Sequence, residues 1–330
     1  MKKRILAGMR TSGRLHLGNY LGGAKGMLEL QGKNEYETNY MVADLHGLTT
    51  PYDKVTFAQD TKNVIIDYLA AGLDPEKSTI FVDSHVPEVI ELAYYLSTVT
   101  TLAKMTHLPT YKEKVKQFPE HVTMALVNYP VLMAADILAF NAELVPVGID
   151  QEPHLEVARE IARRMNQDYG TNFKEPKIFA TKGKYVPSLL GDGKMSKSVE
   201  GSYIALTDDS KTVMGKVARM PSDAGGPGEV PNEGPVANIF TYLELFRPNR
   251  LEYYSGMYKR GELKYSELKE DLARAIFDVL RPIQEKRKEI EKRDIDERYI
   301  DRVIREGTEK ARKIARATVE EVKEKMGMLG

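Results

Sequence analysis

The chain has no cysteine among its 330 residues. Disulfides, thiolate metal sites and cysteine nucleophiles are therefore excluded, and an intracellular, cytoplasmic chain is the expectation. Net charge is missing as well. The 48 basic residues offset 48 acidic ones, so no whole-molecule field draws the chain to nucleic acid, and an anionic partner has to be met by a local patch. No stretch reaches the ~18 uninterrupted apolar residues of a membrane span, and Arg10 and Arg14 interrupt MKKRILAGMR before it reads as a leader. The first glycine-rich loop has neither GxGxxG nor GxxxxGK[ST], and HExxH is absent, so no dinucleotide fingerprint, P-loop or metal site is expected. What the chain does have is 42% hydrophobic content. That suffices for two domains, because single cores stop growing at roughly 250 to 300 residues.

From Arg4 to about Gly191, short apolar runs alternate with helix-length periodic segments, the pattern of a parallel sheet covered by helices. RILAG, TNYMVAD, STIFVDS and ELVPVG read as strands. Leu17 to Gln31, Phe57 to Ala71, Glu88 to Leu102 and Glu152 to Asn166 read as helices. TYKEKVKQFPEHVTMALVNYPVLMAADILAF exceeds a simple crossover and reads as a helical insertion. After Ser198 the character changes: SDAGGPGEVPNEGP is a connector, and charge-dense helical patterns follow. The expected fold is a Rossmann-like, doubly wound α/β domain over residues 1–193, with an insertion near 90–140, then a helical domain over 194–330. The final helix is expected to return to the first domain.

Two stretches carry chemistry. In GMRTSGRLHLGNYLGG, a strand is expected to end at Ala7, with Gly8 and Gly13 in a turn and His16 to Asn19 opening a helix, where an imidazole and a carboxamide meet a positive helix end. In LGDGKMSKS, Lys194 and Lys197 supply mobile cations and Ser196 and Ser198 supply donors. Polyphosphate suits such a loop, because its developing charge is best met by cations that move in with the transition state.

Together HLGN and KMSKS resemble the two signature sequences of class I aminoacyl-tRNA synthetases. KMSKS is complete, and Asn19 stands for the second histidine of HIGH, as in the tryptophan and tyrosine branch. VADLHGLT, IFVDSHVPE, YPVLMAADIL, VPVGIDQEPHLE and RPIQEKR extend the likeness along nearly the whole chain to bacterial tryptophanyl-tRNA synthetases. That resemblance implies an ATP-dependent ligase acting on L-tryptophan and tRNA(Trp), with Mg²⁺ accompanying the phosphates and a homodimer joined largely through the insertion. It implies His16, Asn19, Lys194 and Lys197 as catalytic, and Arg10, Thr11, Ser12, Gly18, Lys114, Gly148, Asp150, Met195, Ser196 and Ser198 as further ATP contacts. For tryptophan it implies Asp136 as acceptor of the indole N–H, Met133 against the ring, Leu6, Val145 and Val147 as walls, Tyr129 and Gln151 at the amino and carboxylate groups, and His46 at the entrance.

The residues agree with the resemblance. Met133 and Asp136, three apart on a helix, share a face. An acid inside LMAADIL costs free energy unless something pairs with it, and tryptophan is expected as that partner. GMRTSG departs from the usual GxQPSG, placing Arg10 and Thr11 where glutamine and proline are common. Relatives of the GMRP type can carry a cysteine-bound iron–sulfur cluster, which a chain without cysteine cannot hold. In the helical part, Arg281, Lys286, Arg287 and Lys288 are candidate tRNA phosphate contacts. Three alternatives stay open at this point: a tyrosyl-tRNA synthetase, a nucleotidyltransferase of the same superfold and a non-catalytic tRNA-binding paralogue.

Overall fold

The computed structural model describes residues 2–329 except Ser12, Ile149, Asp150, 180–184, Asp192, Ser198 and 224–226. Ser12, Asp150 and Ser198, expected at the nucleotide, thus lie outside the described residues. In chain order the elements are β1 Lys3–Arg10, α1 Leu17–Asn19, a π-helical stretch Tyr20–Ala24, α2 Lys25–Gln31, β2 Tyr36–Ala43, α3 Asp44–Gly47, α4 Phe57–Ala71 and β3 Thr79–Val82. Next come α5 Pro87–Ser97, α6 Leu102–His107, α7 Pro109–Gln117, α8 Met124–Ala139, β4 Leu144–Val145, α9 Glu152–Tyr169 and β5 Lys177–Ile178. The remainder is helical: α10 Ser210–Ala218, α11 Pro235–Phe246, α12 Leu251–Lys259, α13 Tyr265–Glu297 and α14 Tyr299–Lys325.

Two compact units emerge. The first comprises Met1–Gly13, Gly26–Thr181 and Glu291–Gly330, and the second Arg14–Lys25 with Lys182–Ile290. This division groups HLGN with KMSKS, which a linear boundary at 193 does not.

The first unit holds a parallel five-stranded sheet in the order β3-β2-β1-β4-β5. Its strands read as continuous apolar runs because helices cover the sheet. The order reverses between β1 and β4, the point at which open α/β sheets form ligand crevices at their carboxyl ends. α14 packs on β3, α5 and α8, as expected for the final helix. Its core-facing stripe, Val303, Ala311, Ala315, Val319 and Val322, has helical spacing. Arg312 clamps the buried Glu88 of α5, donating to both carboxylate oxygens at 2.8–3.1 Å.

Some expectations need correction. β1 continues to Arg10, so Gly8 lies inside a strand rather than in a turn; a Cβ there would stand 2.6 Å from the Met41 side chain. Gly13, with φ +79°, does make the turn. The segment read as one helix from Glu88 to Leu102 stops at Ser97, and a second helix starts at Leu102. In the two Tyr-Tyr pairs, Tyr94 and Tyr253 are exposed, whereas Tyr95 and Tyr254 are buried.

In the second unit, Leu17 N–H donates to Ile204 O at 2.9 Å and Leu206 N–H to Leu15 O at 3.0 Å, so the HLGN segment pairs with chain that follows KMSKS. Gln284 of α13 donates to the carbonyls of Leu206 and Asp208, and Tyr242 of α11 donates to Pro187 O at 2.6 Å. Arg287 is buried. It therefore does not offer the surface phosphate contact expected of it, while Arg281, Lys286 and Lys288 stay exposed.

Candidate active site

At the carboxyl end of the sheet, the first unit holds a cavity of about 340 Å³, within the size range of small-ligand sites. Leu6, Gly8 and Arg10 of β1 reach it, with His46 of α3, Tyr129, Met133 and Asp136 of α8, Val145 of β4, Val147, Gln151 and His154. All eight residues expected around the amino acid line this one space. α8 presents Tyr129, Met133 and Asp136 together because they lie four and three residues apart.

Asp136 is completely buried. His46 Nε2 and Asp136 Oδ2 lie 2.8 Å apart, within hydrogen-bond distance. Burial holds the His46 imidazole below its usual pKa, with Asp83 opposing and Arg10 reinforcing that shift, so the ring is neutral, and in the tautomer with its proton on Nε2 it is a donor to Asp136. Asp136 is thus paired within the protein, correcting the expectation that substrate alone would partner it. Its Oδ1 has no hydrogen-bond partner in the protein. Asp83, an acid at the carboxyl end of β3, stands beside the pair and was missed at the sequence level. The signal was there in STIFVDS, since an acid just past a buried parallel strand points into the crevice region.

At the other side, the Tyr129 hydroxyl lies 2.6 Å from Thr110 Oγ1 and 2.8 Å from His154 Nε2, and Thr110 lies 2.9 Å from His154. This cluster fixes the Tyr129 rotamer. Arg10 donates to Thr50 at 3.0 Å and Lys114 to Gln117 at 2.7 Å; both reach the cavity wall. Burial, then Arg10, holds the Lys114 ammonium below its usual pKa. Thr11 does not come to the cavity, because its hydroxyl is buried 3.1 Å from that of Thr61 in α4. Gly148 O accepts from Gln151 N–H at 3.0 Å, just before α9.

The second unit builds a different surface. His16 caps α1: Nδ1 accepts from Gly18 N–H at 3.1 Å and Asn19 N–H at 3.3 Å, while Asn19 Oδ1 accepts from His16 N–H at 3.1 Å. This reciprocal capping box commits half of each side chain. With Nδ1 accepting, the proton sits on Nε2, and the Asn19 amide nitrogen is the other group the cap does not use. Burial first, then Lys197 and Lys194, lowers the His16 pKa to about 4. The imidazole is therefore neutral near pH 7 and offers an N–H rather than a charge.

Gly18 N–H also approaches Met195 Sδ at 3.3 Å. A Cβ on Gly18 would stand 2.9 Å from the His16 ring and 3.4 Å from Met195 Cβ. The Met195 side chain is buried and joins the two signature segments through Gly18, where a side-chain contact to the nucleotide had been expected. Its N–H donates to Val186 O, and Ser188 N–H donates to Gly193 O. Ser202 Oγ donates to Ser196 O, fixing the loop so that Lys194 is exposed and Lys197 half-buried. Lys197, Lys216, Arg219 and Tyr203 line a cationic pocket of about 470 Å³.

The family model described as tRNA synthetases class I (W and Y) matches residues 1–281. A tryptophan–tRNA ligase of Porphyromonas gingivalis is 41% identical over 98% of each chain, and one of Clostridium tetani is 38% identical over 99% of this chain and 96% of the relative. Among solved structures, tryptophanyl-tRNA synthetase of Campylobacter jejuni complexed with ADP and tryptophan superposes with a TM-score of 0.84 at 31% identity, covering 98% of this chain and all of that one. With the apolar cavity and the capped HLGN segment resting on Met195 already in view, these matches carry one conclusion: the chain belongs to the class I tRNA synthetases of the tryptophan and tyrosine type, and within them to the tryptophan–tRNA ligases.

Proposed function

We propose that the chain activates L-tryptophan with ATP, giving tryptophanyl-adenylate and pyrophosphate, and then transfers tryptophan to tRNA(Trp). One observation carries the amino-acid assignment: a completely buried acid beside His46 lies among the apolar residues Leu6, Met133, Ile137 and Val145 that help line the cavity. Asp136 accepts the indole N–H there, Met133 and the valines enclose the rings, and Tyr129 and Gln151 hold the amino acid's charged end. The carboxylate then attacks the α-phosphate, so holding both reactants in line supplies much of the acceleration.

On the phosphate side, His16 Nε2–H and the Asn19 amide donate to phosphate oxygens, while Lys194 and Lys197 meet the charge that builds on departing pyrophosphate. ATP enters as its magnesium complex. Arg10 and Lys114 reach anionic groups from the amino-acid side, and Gly148 lies at the ribose. The exposed basic residues Arg281, Lys286 and Lys288 serve the tRNA backbone. No helix among the described residues is long and apolar enough to cross a membrane, and the cytoplasm, where tRNA is charged, is the proposed location. Homodimerisation is supported by large apolar side chains left exposed within and beside the insertion, Ile90, Tyr94, Leu102 and Met124 among them.

ATP–pyrophosphate exchange, run separately with tryptophan and tyrosine, tests this reading. Tryptophan alone is expected to drive exchange, with tyrosine slower by roughly 10⁴-fold, because a site built around one substrate hydrogen bond rejects a mismatched partner strongly. Equal rates with tyrosine would overturn the assignment.

A further inference from the structure

Beside Asp136 and His46, but not among the residues that line the cavity, lies one more acid than that chemistry uses. Asp83 follows β3 in the 3-10 turn Asp83–His85 and is completely buried. One side-chain atom each from Asp83, Asp136 and His46 lies within 4.8 Å of the others. If both acids were ionised, Asp83 Oδ1, Asp83 Oδ2 and Asp136 Oδ1 would all lack a donor, and two adjacent anions would be held away from water. A single proton removes the conflict, since one carboxyl then donates to the other.

The surroundings decide which acid keeps it. Asp136 Oδ2 lies 2.8 Å from His46 Nε2, whose N–H tautomer favours the Asp136 ion, whereas neither Asp83 oxygen has a hydrogen-bond partner. Arg10 is turned to Thr50. Asp44, the other acid nearby, is already satisfied by Ser84 N–H at 2.9 Å, Ser84 Oγ–H at 2.5 Å and Leu45 N–H at 3.0 Å. Burial raises both pKa values; the neighbouring Asp136 charge raises Asp83 further, while a proton shared from Asp83 lowers Asp136.

We propose that Asp83 is a positioning residue for amino-acid selection: it keeps a proton, donates it to Asp136, and so maintains Asp136 as an ionised acceptor for the ring N–H of the substrate. This rests on the tryptophan reading of the cavity. Without Asp83, the lone buried Asp136 takes up a proton itself and ceases to be a ready acceptor. An asparagine at this position carries a permanent N–H and replaces the donor.

Two measurements on the parent, Asp83→Asn and Asp83→Leu test the proposal. The first is infrared difference spectroscopy of the ligand-free proteins near neutral pH. The parent is expected to show the C=O stretch of a protonated carboxylic acid, and Asp83→Asn to lose it. The second is tryptophan affinity, read from the ligand's own fluorescence because the chain contains no tryptophan, beside the KM for ATP in pyrophosphate exchange. Asp83→Asn should bind within about threefold of the parent and Asp83→Leu roughly 10- to 100-fold more weakly, the range for losing a hydrogen bond to a charged group, with the KM for ATP unchanged in both. Absence of the infrared band, parent-like affinity in Asp83→Leu, or an Asp83→Asn as weak as Asp83→Leu would overturn it. A parent that shows the band but binds no tryptophan overturns the amino-acid reading and the selection role together, leaving the protonated pair standing.

Discussion

At the residue scale, each unit uses a histidine in the same protonation state for a different end. His46 is kept neutral by burial and orients an acid; His16 is kept neutral by burial and two lysines, and its Nδ1 is spent on a helix cap. The remaining Nε2–H of His16 is a fixed donor that needs no reorganisation when charge develops. His16→Ala should therefore lower the single-turnover rate of adenylate formation by about 10²- to 10³-fold, the usual cost of removing one preorganised donor, with tryptophan affinity little changed. Because its folded pKa, about 4, lies below the ordinary 6.5, the unfolded chain binds this proton more readily between those values. The stability His16 contributes is complete above about pH 6.5 and is lost as pH falls toward 4. Urea unfolding of the parent and His16→Gln across that range should show the gap between them narrowing on acidification. Lys197→Ala makes the complementary case: its effect belongs in adenylation rate and not in tryptophan affinity, and equal single-turnover rates would remove it from the mechanism.

Scale matters for what the sequence could disclose. At the level of elements, β1 to β4, α4 and α9 were legible because apolar runs and helical periodicity are local signals. β5 was not, since Lys177–Ile178 is two residues long and acquires its identity only by pairing with β4. The chemistry of Asp136 was half legible. An acid on an apolar helix announces a partner, but that His46 fills part of the role depends on α3 meeting α8, which no window of sequence contains. Likewise Met195 looked like a ligand contact inside KMSKS and turned out to be a buried strut, because the segment it touches lies 177 positions away. One close approach gives an element-scale prediction. Gly307 of α14 faces β3 so closely that a Cβ would overlap the carbonyl of Ile80. Gly307→Ala, favourable in an isolated helix by about 1 kcal/mol, should here destabilise the protein by about 3 kcal/mol through overpacking of backbone against backbone, read as a lower urea midpoint at unchanged slope.

For the whole molecule, the open question is how many chains act together, and the surface of the first unit bears on it. Ile90 and Tyr94 stand one helical turn apart on α5, half and nearly three-quarters exposed, and Leu102 and Met124 are more than half exposed within the same stretch of chain. Isolated exposed apolar residues are ordinary, but an exposed apolar (i, i+4) pair on one helix face is what a subunit interface leaves uncovered in a single chain. An isologous contact uses the same patch on both copies, so a single charged substitution is introduced twice across the two-fold axis. Tyr94→Glu would place two carboxylates in one apolar contact, a desolvation and repulsion cost that a moderate interface does not survive. Sedimentation equilibrium is expected to give twice the single-chain mass for the parent and the single-chain mass for Tyr94→Glu, with unchanged far-ultraviolet circular dichroism. A parent that sediments as one chain would reject the dimer, and a variant that remains dimeric would place the contact elsewhere than α5.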